Sequence, residues 1–596
     1  MTPHEWILIG VCAAAVGLMF GTRLRPDLVA ILAALTLDLT GVIPDGGVFE
    51  GLGSTVVLTL IGLFILAKGL EEAGLVRWAA LRLTSASDGG ETRLLATLTT
   101  TAAALSVAMN NVAVGALFLP TSIRVARTAR VPVSNLLLPV SYATLLGGMA
   151  TIFTSANIIM SDLLVEHGAR PLEMLDFAGT GGIVAVLGVG YLLLVGRRFL
   201  PRRVAPPDDS RGDFFGLYEL GERFWEVDVG PDSSLVGKTI EEIGFRARLG
   251  LSVLGVLRRH RTFLVPGPGI VVAAGDRLLV LGRDDRMEAL VDHGVRVRAS
   301  ASPGDLHEEL ELTEIVVPPR SRATGRTLTD LELRTRYGLT VLALWREGRV
   351  IRTDVGKIPL EVGDGLLVVN VPRRIEGLTR GGDFLQIGGG LAAPARPERA
   401  PVATAVLAAV LLVTFSGVLA VGETVLTGAM LMVLTGCVTM EQAYKAVEWH
   451  VIFLVAGLLP VGFAMIDTGL AERAATALAT LVSGAGPLVS IVMMFLVSVA
   501  TTQVIGGQVS ALLVGPVALA VADVVGVRVD AMAVAVAVGA SAAFLTPMAH
   551  PVNAMMMGPG GYRSIHFLRA GAGMLLVTLL GLVLALWTIW GIPLAG

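Results

Sequence analysis

The residues of this chain best suited to holding a small solute are amides and hydroxyls set in apolar surroundings, and they occur twice. Asn110 and Asn111 lie in SVAMNNVAVGALFLP with Ser106 four residues before Asn110; Gly506, Gly507 and Gln508 lie in VATTQVIGGQVSALLVGP with Thr502 four residues before Gly506. Pro120 to Asn157 and Pro516 to Asn553 are both 37 residues, so superposing the prolines places Asn110 on Gly506 and Asn157 on Asn553. Oxygens of Ser106, Asn110, Asn111, Thr502, Gly506 and Gln508 suit a hard cation such as sodium. Amides and half-helix N-termini around Asn110, Asn111, Ser155, Asn157, Gly507, Gln508, Pro551 and Asn553 suit a small anion. Neither Asn110-Asn111 nor Gly506-Gly507-Gln508 is flanked closely by Lys or Arg. A single Asn or Thr in a membrane helix is as readily interhelical glue as a ligand, and it is the repetition at equal spacing that favours a shared site. His550 falls inside the second polar break and His450 stands alone in sequence; a hydrogen-bonded structural histidine and a functional one remain open for both. No nucleophile, base and orienting group recur at catalytic spacing, which argues against an enzyme.

The elements that must position these residues are membrane helices. The chain has 596 residues, is 54% hydrophobic and only 16% charged, with a mean hydropathy of +0.73. Soluble domains average about 25% charged residues. Residues 201–400 hold 29 of the 46 Lys and Arg and 29 of the 49 Asp and Glu, so a soluble middle third separates two apolar ones. A net charge of −3 gives no support to nucleic-acid binding. Cys12 and Cys437 both sit in apolar runs and read as packing residues. The first run lacks a basic leader and a cleavage site, and reads as a retained span.

Spans are predicted near 5–21, 26–43, 53–74, 133–165 and 177–196, and again near 401–421, 423–443, 449–468, 530–557 and 567–592. Longer interrupted stretches cover 92–124 and 487–522. Gly41 to Gly74 and Gly436 to Gly469 are both 33 residues, a second sign of duplication. Arg23, Arg25, Arg77, Arg82, Arg124, Arg127, Arg130, Arg197, Arg198, Arg202 and Arg203 fall on one side if 92–124 enters and leaves the bilayer from the cytoplasm. Five full spans per half then force the second half to run inverted, with Lys445, Arg563 and Arg569 inside and its hairpin opening outward; Arg473 and Arg528 fall outside on this scheme. The expected fold is therefore a polytopic α-helical membrane protein with inverted repeats and two re-entrant hairpins, repeat 1 over 1–200 and repeat 2 over 401–596, in the cell's inner (plasma) membrane.

At these positions the chain resembles the divalent anion/sodium symporter family, sodium-coupled carriers of sulfate and di- or tricarboxylates. That family has a Ser-Asn-Thr tripeptide at each hairpin tip, ten residues before a Pro, and a Pro-Pro-Asn or similar break in the following helix. Asn110-Asn111-Val112 and Gly506-Gly507-Gln508 occupy the tripeptide positions, and Ser155-Ala156-Asn157 and Pro551-Val552-Asn553 the breaks; only Asn111 keeps the tripeptide's residue type. NAMMMGPGGYRSIHFLRAG looks like that family's passage into the last span. The resemblance implies cation-coupled, sodium-driven uptake of a small divalent anion such as sulfate, and a homodimer.

The soluble middle is a tandem repeat. Gly237 to Gly250 and Gly325 to Gly338 are both 13 residues, and Gly237 to Asp276 and Gly325 to Asp364 are both 39. Alternating strands (WEVDV and TEIVV, SVLGVLR and TVLALWR, DRLLVLG and DGLLVVN) flank a helix-like stretch opened by Gly-Lys-Thr or Gly-Arg-Thr. Gly237-Lys238-Thr239 is not a phosphate loop, because position 232, where the upstream Gly of that motif belongs, is Asp. Two inserted small α/β cytosolic domains are expected, over 215–300 and 305–385. They resemble the TrkA C-terminal (RCK C) domain, a regulatory unit that tends to dimerise and in some families binds small ligands; a passive folding or dimerisation role is the alternative. For the whole chain, a proton-coupled antiporter or oxyanion exporter of the same fold, or a non-transporting anion sensor, stand beside the symporter.

Overall fold

The structure is a computed structural model that describes the chain apart from residues 22–23, 45, 75–89, 130, 201–222, 246–248, 259–260, 265, 268, 283, 301–310, 318–320, 334–338, 347–348, 352–354, 362, 371–382, 388–395, 482–485 and 594–596. Arg23, Arg77, Arg82, Arg130, Arg202 and Arg203 of the orientation argument lie outside the described residues. The outer thirds are helical and the middle third is built on strands. Among the described residues seven helices are long and apolar enough to cross a membrane: Gly47–Glu72, Met174–Leu194, Pro397–Ser416, Trp449–Asp467, Pro487–Ile505, Gly507–Val525 and Ser564–Thr588. Shorter apolar helices include Pro3–Met19, Val421–Leu434 and Val529–Ser541.

Local chemistry sets the helix ends. Pro26 opens helix Pro26–Leu39, where a missing N–H costs nothing, and the Ser54 hydroxyl accepts from Val57 N at the start of Thr55–Glu72. Gly41, Gly74, Gly436 and Gly469 all take left-handed φ, at 68°, 75°, 73° and 75°. The two equal glycine intervals are thus two pairs of helix stops at which a side chain would be strained.

The two helical regions clasp each other reciprocally. Helix Pro26–Leu39 packs on Trp449–Asp467, and its counterpart Val421–Leu434 packs on Thr55–Glu72. Gly457 and Gly62 are the matched contact points. A Cβ on Gly457 would stand 2.6 Å from the backbone carbon of Ala30, and one on Gly62 would stand 3.0 Å from Val425 Cγ1. Pairing of the first region's second helix with the second region's fourth, and the reverse, is the pattern a two-fold relation generates.

The spans expected near 133–165 and 530–557 are each broken. The first is Ser134–Met149 followed by Ser155–Glu166, and the second is Val529–Ser541, a short turn at Pro547–Ala549, then Pro551–Gly560. The interrupted stretches are pairs of helices, Glu91–Ser106 with Asn111–Thr128 and Pro487–Ile505 with Gly507–Val525.

The middle third forms two antiparallel sheets. The strands are β1 Arg223–Val229, β2 Ser252–Arg258, β3 Arg261–Leu264, β4 Arg277–Gly282, β5 Val295–Ser300, β6 Glu311–Val316, β7 Thr340–Arg346, β8 Arg349–Ile351, β9 Gly365–Asn370 and β10 Leu385–Ile387. Their orders, β3-β2-β4-β1-β5 and β10-β6-β9-β7-β8, are the same topology twice. Among the described residues the stretch opened by Gly-Lys-Thr holds a single helical turn, Ile240–Ile243, and its partner after Gly-Arg-Thr is turns over 328–332. The motif is a cap. Gly237 and Gly325 have φ of 81° and 78°; Thr239 Oγ1 accepts from Glu242 N, and Thr327 Oγ1 accepts from Asp330 N. The backbone amide of Thr239 donates to the Glu242 carboxylate in return and holds it below its usual range. The Gly-Asp turn is explained by an arginine that pairs with the buried Asp of the turn. Arg258 donates to both oxygens of Asp276 at 2.7 Å, and Arg346 to those of Asp364 at 2.8 and 2.6 Å. The two sheets pack on each other through matched residues, Leu254, Leu279 and Leu281 from one and Leu342, Leu367 and Val369 from the other.

Candidate functional site

Four helices begin at one cavity. Its lining includes Asn110, Asn111 and Val112, then Thr154, Ser155 and Ala156, then Gly506 to Val509, and then His550 and Pro551. These are the first residues of Asn111–Thr128, Ser155–Glu166, Gly507–Val525 and Pro551–Gly560. Each helix start presents the positive end of its dipole; at Pro551–Gly560 the first residue has no N–H and Val552 N donates to His550 Nδ1. The cavity is small, about 120 Å³. No Lys or Arg is among its described lining residues, which do include Glu448, His450 and His550.

The two tips are built by different means. Asn110 Oδ1 accepts from Val112 N at 2.7 Å and caps the first helix with its side chain. Gly506, its counterpart, has no side chain and takes φ 83°, ψ 158°, a region open essentially to glycine alone. Gly507 is demanded by space instead, since a Cβ there would lie 2.1 Å from the carbonyl oxygen of Ala540.

The breaks are held by their asparagines. Asn157 Nδ2 donates to Thr151 O at 2.6 Å and to Gly148 O at 3.3 Å. Asn553 Nδ2 donates to Ala543 O at 2.5 Å while its Oδ1 accepts from Ser141 Oγ at 2.7 Å. Carbonyls freed where a helix breaks inside an apolar medium need such partners. Ser141 lies midway along Ser134–Met149, so the first broken helix is bonded to the second at the second one's break. They also pack reciprocally, Ser134–Met149 against Pro551–Gly560 and Val529–Ser541 against Ser155–Glu166. Tyr562 adds to the junction, its hydroxyl donating to Ser134 O and accepting from Leu138 N at 2.9 Å.

Of the residues singled out from sequence, Asn110, Asn111, Ser155, Gly506, Gly507, Gln508 and Pro551 therefore line one cavity. Asn157 and Asn553 are fully buried behind it, and so are Ser106 and Thr502. Ser106 Oγ donates to Asn111 Oδ1 at 2.6 Å and thereby fixes a lining amide; Thr502 Oγ1 reaches Ala540 O at 3.4 Å. Sequence reasoning missed Gln503, whose Nε2 donates to Ala542 O and whose Oε1 accepts from Leu545 N, both at 2.9 Å, tying the second hairpin to the second break. The lone glutamine of Pro487–Ile505 was its signal. It also missed Glu448 and Ser541, which no spacing rule connects to the tips. Ser541 Oγ is buried at the cavity without a hydrogen-bond partner.

Away from the cavity, ionic contacts join the helix ends of the two regions. His167 Nε2 is 2.7 Å from Asp523, and Arg170 contacts Asp176 at 2.9 Å and Asp530 at 3.5 Å. The hydrogen bonds that Arg170 donates to the Asp176 carboxylate hold its guanidinium pKa above the ordinary value.

Apolar helices broken at paired points around a small cavity define a membrane transporter, and the comparisons with known proteins agree. The citrate transporter family (CitMHS) model matches residues 15–539, and the chain belongs to that family. It is 30% identical to the uncharacterized transporter sll0640 of Synechocystis, over 95% of this chain and 94% of the other. It is 26% identical to sodium/sulfate cotransporter 1 of Chlamydomonas reinhardtii, over 58% of this chain and 41% of the other. The YdaH transporter of Alcanivorax borkumensis, a solved structure, aligns over 100% of both chains at 14% identity with a TM-score of 0.41. The protein is thus a multi-pass membrane transporter and not an enzyme.

Proposed function

We propose that this transporter takes up a small divalent anion such as sulfate, coupled to sodium, by alternating access of the hairpin region against the clasped helices. The observation that carries the reading is the convergence of four helix N-termini on one small cavity lacking Lys and Arg among its described lining. In this reading Asn110, Asn111, Ser155, Gly507, Gln508 and Pro551 contact the anion, with Asn157 and Asn553 fixing the breaks behind them. Ser106, Asn110, Asn111, Thr502, Gly506 and Gln508 supply oxygens towards sodium. Relatives named sodium/sulfate cotransporters support both solutes.

Residues 1–200 and 401–596 are then inverted repeats whose hairpins, 91–128 and 487–525, are re-entrant, in the inner (plasma) membrane. The sheets within 215–300 and 305–385 are cytoplasmic TrkA C-like regulatory domains able to take a small-molecule ligand. The homodimer is assigned to the membrane helices, because the sheets cover each other within one chain. A second reading, proton-coupled antiport or export by the same fold, is favoured by Glu448, His450 and His550 at the cavity.

Uptake of labelled sulfate, citrate and succinate by reconstituted protein, with a sodium gradient, a proton gradient or neither, separates these readings. Sodium-driven sulfate uptake is expected. Flux driven only by protons supports the second reading, and binding without flux supports a sensor.

A further inference from the structure

The two packed junctions between the broken helices are matched in position and bonded differently. At one, the Ser141 hydroxyl of Ser134–Met149 donates to Asn553 Oδ1 of Pro551–Gly560 at 2.7 Å. The spacing that places Asn157 on Asn553 places position 141 on position 537, and position 537 is alanine. At the other junction, where Ser155–Glu166 packs on Val529–Ser541, the donor is thus missing. Asn157 is fully buried, and its Oδ1 has no hydrogen-bond partner among the described residues. Its Nδ2 donates to Thr151 O and Gly148 O, so the unpaired atom is the amide's acceptor. Ser541 lies four residues beyond Ala537, about 6 Å along the same helix face. Helical side chains lean towards the N-terminus, which brings its hydroxyl back towards the level that Asn157 faces. Ser541 is 8% exposed and lines the cavity, and its Oγ has no partner either. The matching residue of the first broken helix, Leu145, lines the same cavity with an apolar side chain.

Two buried oxygens therefore stand on facing helices without bonding each other or any other described group. A buried acceptor is costly unless something positive meets it. The surroundings favour a cation in that role. Ser541 is the last residue of Val529–Ser541, at the negative end of that helix. Asn157 stands in the first turn of Ser155–Glu166, yet its amide is turned onto carbonyls in the last turn of Ser134–Met149 and in the break after it. The cavity itself is ringed by helix starts. Anion and cation are thus offered opposite ends of the broken helices.

We propose that Asn157 Oδ1 and Ser541 Oγ hold a sodium ion between Ser155–Glu166 and Val529–Ser541, behind the cavity. Both are uncharged hard oxygens of the kind that sodium accepts. The matching place at the other junction is closed by the Ser141–Asn553 hydrogen bond and by Leu145, so the two halves do not offer this site twice. The ion enters past Ser541, and its charge stands close to an anion that no Lys or Arg of the described lining balances. Its identity as sodium rests on the sodium-coupled reading proposed above, and its place is separate from the oxygens of the hairpin tips.

Sodium binding is read without sulfate or any carboxylate, as the thermal stabilisation of the full chain in detergent when sodium chloride replaces choline chloride at constant ionic strength. The wild type should gain stability with a defined sodium midpoint. Ser541→Leu, which copies Leu145, removes one oxygen and should raise that midpoint roughly tenfold or more, as for one contact to a charge. Ala537→Ser copies Ser141 and gives Asn157 Oδ1 the donor it lacks. It should raise the melting temperature in choline and yet weaken the sodium response by a similar factor, a separation that a change in packing alone would not produce. A wild-type sodium midpoint in either folded variant overturns the proposal and leaves sodium-coupled sulfate uptake standing. Absence of any sodium response in the wild type overturns both. Raised midpoints without sulfate flux retire the sulfate assignment and keep the site.

Discussion

Replacing Gly507 by alanine tests the site at its tightest point. The added methyl carbon would stand 2.1 Å from the Ala540 carbonyl oxygen, whereas even close carbon–oxygen contacts are about 3.3–3.6 Å. The second hairpin tip and the end of Val529–Ser541 must therefore separate by about 1.2 Å or more. Overpacking of this kind costs about 1–3 kcal/mol in stability. It also swings one of the four helix N-termini off the cavity; an aligned, partly buried helix end contributes about 1–2 kcal/mol to holding a charge, so anion affinity should fall roughly 5–30-fold. The assay is paired: thermal unfolding in detergent, and the concentration dependence of sodium-driven uptake. Gly182→Ala is the control, since nothing lies within 4 Å of a Cβ there, and it should leave both readouts at the wild-type value. If Gly507→Ala keeps the wild-type melting temperature and half-saturation concentration, the tip does not rest on Ala540 and the geometry argued for the cavity is wrong.

Gly506→Asn, which copies the residue at the matching place in the first hairpin, should abolish uptake, because Asn110 caps from ordinary backbone while Gly506 occupies a glycine-only region; retained uptake would show the two tips to be interchangeable. Ser141→Ala removes the donor to the fully buried Asn553 Oδ1 and should cost about 1–3 kcal/mol, read as a lowered melting temperature, with a larger loss for Asn553→Ala. Arg346→Met leaves Asp364, 1% exposed, without its guanidinium. Amide exchange across β6, β7 and β9 should accelerate, in keeping with about 3–5 kcal/mol for breaking a buried pair, and unchanged protection would contradict the pair's role. Asn157→Ala frees the Thr151 carbonyl and should lower stability along with uptake, so a variant inactive at full wild-type stability would return Asn157 to the solute's direct contacts.

Repetition was the most legible part of this protein. Matched spacings from Pro120 to Asn157 and from Pro516 to Asn553 located the four polar points that line one cavity or brace it, because a helix broken in an apolar medium has to carry its own partners for the freed carbonyls. The glycine pairs were equally readable, each marking a left-handed helix stop. Long-range closure was not legible. Glu448 reaches the cavity only because Trp449–Asp467 is clasped by Pro26–Leu39, and no periodicity within either segment announces that pairing. The roles of Asn157 and Asn553 were hidden for a related reason: an amide suited to a ligand is equally suited to a carbonyl, and only the fold decides which lies within reach. Gly-Lys-Thr and Gly-Asp were visible as motifs, while their work, a turn cap and an arginine's buried partner, depends on Asp276 and Arg258 meeting across β2 and β4.

Joining two copies of one sheet in a single polypeptide frees them from having to stay identical. Separate chains related by a two-fold would present the same loop on both sides, whatever was grafted to one would appear on the other, and a membrane partner would meet two equal claims. Here one copy has come to grip Met557 while its sibling keeps the shared hydrophobic seam filled and leaves Gly275 uncommitted. A symmetric scaffold has in this way acquired a front and a back at the matching turns of Gly363 and Gly275.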